Sequence, residues 1–127
     1  MPSLKPRDAV VCLVTDLFFV AKIEHPLQVL GLRPIFAKTD YEFLDALHST
    51  HPPLAIIDLG AKGVDPIELI AQVRTNDDIL GVPIIAFGSH QNTELMQAAE
   101  EAGADEVMPN SRFAAHLPTI VSQYLDQ

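Results

Sequence analysis

Short apolar runs alternate along the chain with longer segments in which apolar residues recur every three or four positions. The runs fall at about 9–15, 33–38, 54–58, 83–87 and 104–108, and the amphipathic segments at about 17–30, 40–50, 66–76, 91–102 and 112–126. Continuous apolar runs of this length mark strands covered on both faces by helices. Strict alternation of five such strands with five helices predicts a three-layer α/β/α architecture, one doubly wound five-stranded parallel sheet with right-handed crossovers.

Local signals punctuate this pattern. Thr39 followed by Glu42 forms a capping box, and Asp65-Pro66-Ile67-Glu68 supplies a cap, a first-turn proline and a first-turn acid in order. Gly31 and Gly103 stand where helices must end in a left-handed turn. Two prolines disturb the pattern. Pro26 lies inside the first helix and predicts a kink, since it removes a hydrogen bond and crowds the preceding turn. Pro118 predicts that the last helix proper begins near it, after a separate turn at 111–116.

Composition narrows the function classes. With 127 residues, 48% hydrophobic and 20% charged, the chain reads as one packed domain, residues 1–127. A formal net charge of -9 argues against a nucleic-acid partner, which calls for clustered Lys and Arg. No apolar stretch approaches the roughly 20 residues needed to span a bilayer, and Met1-Pro2-Ser3-Leu4-Lys5-Pro6-Arg7 lacks the apolar segment of a signal peptide. No membrane association and a cytoplasmic location are therefore expected. The single cysteine, Cys12, sits within an apolar strand and reads as a buried packing residue.

The candidate chemistry centres on Asp58, where the run Leu54-Ala55-Ile56-Ile57 ends and Leu59-Gly60 follows. Ligands of open parallel sheets bind in the crevice beyond the carboxyl ends of the strands, where this carboxylate would lie. An aspartate there also suits a plain turn. His48 and His51 stand three apart near a helix end but lack a Cys or acidic neighbour at zinc-site spacing, and His25, His90 and His116 are isolated. Neither a G-x-S-x-G elbow nor a P-loop is present, so a hydrolase or nucleotide-binding enzyme has little support.

The order of elements and several strings resemble the receiver domain of bacterial response regulators, the CheY-like, flavodoxin-like fold, over nearly the whole chain. Val11-Cys12-Leu13-Val14-Thr15-Asp16 is similar to the first strand with its acidic pair, and Leu54 to Asp58 to the strand carrying the phosphoryl-accepting aspartate. Asp65-Pro66-Ile67-Glu68-Leu69-Ile70 is similar to the D-G-x-E-L string. Val82 to Phe87 matches the fourth strand, and Ala98 to Glu106 the helix and G-A-x-x that precede the fifth.

The resemblance implies a pair of carboxylates holding Mg²⁺ beside the acceptor, a hydroxyl on strand four, and a lysine after strand five. Phosphoryl transfer is mostly positioning and charge stabilisation, so each part matters. This chain carries Thr15 and Asp16 for the acidic pair, Gly88 at the hydroxyl position with Ser89 one place on, and Asn110-Ser111 for the lysine and its proline. Asp16 also suits a helix cap, as does Ser89. What remains is a degenerate site in which Asp16 and Asp58 offer weak Mg²⁺ binding at most and no other cofactor is implied. Lys62 and Arg112 are the nearest cations in sequence.

The expected function is a receiver-like, non-enzymatic signalling module in bacterial regulation that acts through protein–protein interaction, without conventional phosphorylation. One alternative is a phosphorylatable single-domain regulator accepting on Asp58; another is a small ligand-binding protein or enzyme using the strand-end crevice. Between Arg74 and Arg112 there is no Lys or Arg, while Asp77, Asp78, Glu94, Glu100, Glu101, Asp105 and Glu106 fall in that span. An acidic patch of this kind steers a partner with a basic surface. The family's use of this face for dimerisation leaves a homodimer open as well.

Overall fold

Each predicted apolar run becomes a strand of one parallel sheet. The computed structural model describes residues 8–125; the N-terminal segment 1–7 and residues 126–127, where the last predicted helix was to end, lie outside them. The strands are β1 (Ala9–Leu13), β2 (Arg33–Ala37), β3 (Leu54–Asp58), β4 (Ile84–Gly88) and β5 (Glu106–Pro109), and the helices between and after them are α1 (Leu17–Val29), α2 (Asp40–Thr50), α3 (Pro66–Arg74), α4 (Thr93–Ala102) and α5 (Asn110–Leu125). The sheet order is β2-β1-β3-β4-β5, all parallel. The order reverses between β1 and β3, so the crevice of a doubly wound sheet opens at the ends of these two strands.

Side chains alternate between two cores because successive strand residues point to opposite faces. Val11, Leu13 and Ile57 pack with Phe43 and Leu47 of α2 and Leu69 and Val73 of α3. Val10, Cys12 and Ile56 pack with Ile23 and Leu27 of α1 and Phe113 and Val121 of α5. Cys12 is fully buried, and burial drives its thiol pKa far up, so it stays an inert packing group.

The caps form largely as predicted. Thr39 Oγ1 accepts the Glu42 N–H at 3.0 Å, while the Glu42 carboxylate returns to the Lys38 N–H, one residue before the usual target of a capping box. Asp65 Oδ1 accepts from Ile67 and Glu68 and leads into Pro66 at the first helical position. Gly31 and Gly103 adopt φ of 80° and 123°, the conformation that ends α1 and α4 at low steric cost.

Several features differ from expectation for visible reasons. α1 runs through Pro26 as one element, because the proline falls in its last turn, where Leu30 closes the helix on the Pro26 carbonyl. α4 starts at Thr93 rather than 91, since Asn92 supplies the cap by accepting the Leu95 N–H. β5 starts at Glu106 rather than 104. Residues 110–115 are helical rather than a separate turn, and the break comes at His116 (φ -124°, ψ 20°), where the Pro118 ring and its missing N–H interrupt the ladder.

Candidate functional site

The carboxyl ends of β1, β3, β4 and β5 bring Thr15, Asp16, Asp58, Gly88, Ser89 and Asn110 around a single open cavity of about 530 Å³. All six positions singled out in the sequence therefore meet. Phe19, Gly60 and Lys62 complete the lining, and Arg112 is not part of it. Phe19 went unnoticed because it reads as one more apolar residue of a helix. The available signal was its spacing: Phe19 lies three residues after Asp16, which puts both on one side of the first turn of α1.

Among the described residues Asp58 is the buried polar residue, 6% exposed at the end of β3. The Gly60 N–H donates to its Oδ1 at 2.8 Å. Burial pushes the carboxyl pKa up, the Gly60 hydrogen bond opposes this, and repulsion from Asp16 adds to the rise. The folded value thus lies above the unfolded one, so the folded chain holds the proton more tightly. Its stabilising contribution is present below the ordinary carboxylate range and lost as pH rises through the folded value. Asp58→Asn keeps the acceptor oxygen without the charge. It is expected to be more stable than the parent at pH 7 by on the order of 1 kcal/mol, with the gap closing toward pH 3 in thermal melts. A gap independent of pH would show that the charge at Asp58 is not its cause.

The neighbouring polar groups are already engaged. Asp16 Oδ1 accepts the Phe18 N–H at 2.9 Å and caps α1, as one reading of the sequence had it. Thr15 Oγ1 accepts the Lys62 N–H at 3.1 Å, tying the loop after β3 to the end of β1. Ser89 Oγ accepts the Gln91 N–H in the turn before α4 without being the helix cap itself. Asn110 opens α5, and its Oδ1 is buried with no hydrogen-bond donor.

Gly88, at the end of β4, lies close against Leu59. A Cβ at this position would lie 3.2 Å from Leu59 Cβ and 3.3 Å from Leu59 Cδ1. Leu59, 4% exposed, crowds this position and would have to give way by a few tenths of an ångström to admit a side chain. Of the near-octahedral oxygen ligands Mg²⁺ takes, the cavity wall offers the carboxylates of Asp16 and Asp58 and the Thr15 hydroxyl, each already accepting one backbone N–H. Among the described residues no three His, Cys, Asp or Glu side chains are placed to hold a metal ion.

The folded chain rearranges the other charged candidates. Asp78 reaches both histidines left unpartnered by the sequence, at 2.6 Å from His48 Nδ1 and 3.1 Å from His51 Nε2, and the His48 hydrogen bond leads in holding its pKa low. Asp105 pairs with Arg74, and Glu106 accepts the Tyr124 hydroxyl at 2.6 Å. The acidic span is therefore not one uniform patch: Glu94, Glu100 and Glu101 of α4 remain exposed, while three of the other acids are partnered. Among the described residues no helix is long and apolar enough to cross a membrane.

No protein-family model matches the chain. Over 99 residues it is 26% identical to an uncharacterized 76.5 kDa protein in the phbC 3′ region of Thiocystis violacea, covering 78% of this chain and 14% of that protein. The chain thus corresponds to a small part of that relative's length. Solved structures superpose over almost all of it. A putative response regulator from Chloroflexus aurantiacus gives a TM-score of 0.84 at 21% identity, covering 95% of this chain and 99% of that one. The receiver domain of NtrX from Brucella abortus gives 0.80 at 18% identity over 93% and 98%. The chemotaxis response regulator CheY4 of Vibrio cholerae gives 0.80 at 17% identity, again over 93% and 98%. From its strand order to the placement of Asp58 at the switch point, the chain has the CheY-like fold of response-regulator receiver domains.

Proposed function

We propose that the chain is a receiver-type signalling module that acts by protein–protein interaction in bacterial regulation, with weak Mg²⁺ affinity and without conventional phosphorylation of Asp58. The observation that carries this reading is the packing of Leu59 against Gly88. The hydroxyl position has lost its side chain, and Leu59 crowds the place a new one would enter. Asn110 at the lysine position removes the fixed cation that would neutralise a phosphoryl group. The exposed acids Glu94, Glu100 and Glu101 favour a partner with a basic surface.

Incubation with acetyl phosphate and Mg²⁺ followed by intact mass spectrometry tests the reading. The expected result is unmodified protein. A phosphorylated species that disappears in Asp58→Asn would establish the second reading, phosphoryl acceptance on Asp58. That reading draws on one observation, the presence of Lys62 in the cavity wall.

A further inference from the structure

Asp58 is a buried carboxylate without a cation. Among the described residues the ion pairs are Arg33–Asp8, Arg74–Asp105 and the contacts of His48 and His51 with Asp78. None involves Asp58 or Asp16, and Lys62 lines the cavity without pairing with either. Buried charges are ordinarily paired, because an isolated one gives up its hydration with nothing in exchange.

The rest of the wall has matching character. Asn110 brings an amide whose buried Oδ1 has no donor. Phe19 contributes an aromatic ring, held in place at 5.0 Å from the Phe87 ring and 5.3 Å from that of Phe18. Two carboxylates and an aromatic ring favour a positively charged group that donates N–H bonds. They disfavour an anion, which both carboxylates repel. Directly after Asp16, Leu17 and Phe18 are 76% and 60% exposed; the Phe18 ring meets that of Phe19 edge-on, with Lys22 Nζ 5.4 Å from its centroid.

We infer that the strand-end cavity is a receptor for a guanidinium group, presented by an arginine side chain of a protein partner whose backbone rests on Leu17 and Phe18. A guanidinium suits the wall better than an ammonium: its planar fork can span two acceptors while its face stacks on an aromatic ring. Arginine is also the charged residue enriched at interface centres, where the surrounding contacts exclude water. The inference rests on the interaction reading above and names the chemistry of the contact.

The test is a titration of ¹⁵N-labelled protein followed through the backbone amides of Gly60, Lys62, Ser89 and Asn110. The probes are methylguanidinium and a capped Gly-Arg-Gly peptide, with tetramethylammonium at equal ionic strength, inorganic phosphate and Mg²⁺ as comparators. Saturable shifts are expected with methylguanidinium and, several-fold tighter, with the peptide. Asp58→Asn should weaken binding by about tenfold or more, and Phe19→Leu by about threefold. Lys62→Met should tighten it by removing a competing cation, a direction that damage to the fold would not produce.

Shifts no larger than those from tetramethylammonium would overturn the assignment, as would phosphate or Mg²⁺ saturating the same amides at lower concentration. A peptide that binds no better than methylguanidinium would overturn the partner and leave a small-molecule site. The failures are separable: absent guanidinium shifts with unmodified protein after acetyl phosphate sink this inference alone, whereas an acyl phosphate on Asp58 sinks the interaction reading beneath it.

Discussion

Arg74→Ala is expected to destabilise the fold by about 3 kcal/mol, a fall in Tm of ~10 °C for a chain of this size. Arg74 ends α3, and its side chain is 21% exposed. Nε donates to the Gly103 carbonyl at 2.8 Å, Nη1 to those of Leu80 and Val82 at 2.9 and 2.8 Å, and Nη2 to Asp105 Oδ2 at 2.8 Å. Asp105 Oδ2 in turn accepts the Ile84 N–H at the start of β4. One guanidinium thus joins the end of α3, the approach to β4 and the turn after α4. Gly103 completes the arrangement, since a Cβ there would lie 2.6 Å from Arg74 Cγ. Truncation leaves several backbone carbonyls short of a donor, a larger penalty than loss of a surface ion pair. Arg74→Lys should recover less than half, because an ammonium cannot reach acceptors on opposite sides of a planar fork. Urea denaturation checks both values, and a loss below ~1 kcal/mol for Arg74→Ala would mean that the turns hold without the guanidinium.

That network also marks how far the sequence could be read. Apolar runs and caps depend on neighbours a few residues apart, so the five strands, the Thr39 and Asp65 caps and the Gly31 and Gly103 turns were legible. The cavity's polar residues were legible through the order of elements, which places Asp16, Asp58, Gly88 and Asn110 at successive strand ends. Contacts between distant segments were not. Arg74 meets Asp105 across 31 positions and His48 meets Asp78 across 30, so an acidic span that reads in sequence as one patch is partly paired in the fold. The displaced start of β5 has a related cause: Asp105, counted in that strand, instead exchanges hydrogen bonds with Ile84 through its backbone N–H and its carboxylate. The crowding of Gly88 by Leu59 was likewise hidden, because it depends on two strand ends lying side by side. Glycine alone reads as a missing hydroxyl; with Leu59 against it, a restored side chain would also have to shift Leu59 by a few tenths of an ångström.

The same side-by-side arrangement makes Phe87→Ala the most damaging single change expected near the cavity, at about 4 kcal/mol. Phe87 is fully buried on β4, stacked on Phe113 with centroids 4.0 Å apart and planes within 7°, and in contact with the Phe19 ring. Phe19 forms one wall of the cavity, and Phe113 lies on α5 three residues after Asn110, which forms another. Deleting the ring removes its burial and leaves a void between these supports. Phe87→Leu, which keeps most of the apolar volume, should cost only ~1–2 kcal/mol. The backbone frame should survive in that variant, since the Leu59 N–H still donates to the carbonyl of residue 87 and holds the end of β3 against β4. Phe87→Leu is therefore expected to melt as a folded protein while the amide resonance of Asn110 and the ring resonances of Phe19 shift or broaden. Unchanged resonances in a folded Phe87→Leu would show that the cavity walls are held by the backbone alone. If they move instead, the stacked rings set the spacing of Phe19, Asn110 and Asp58, and the affinity of the cavity for its ligand becomes a property of the core beneath it.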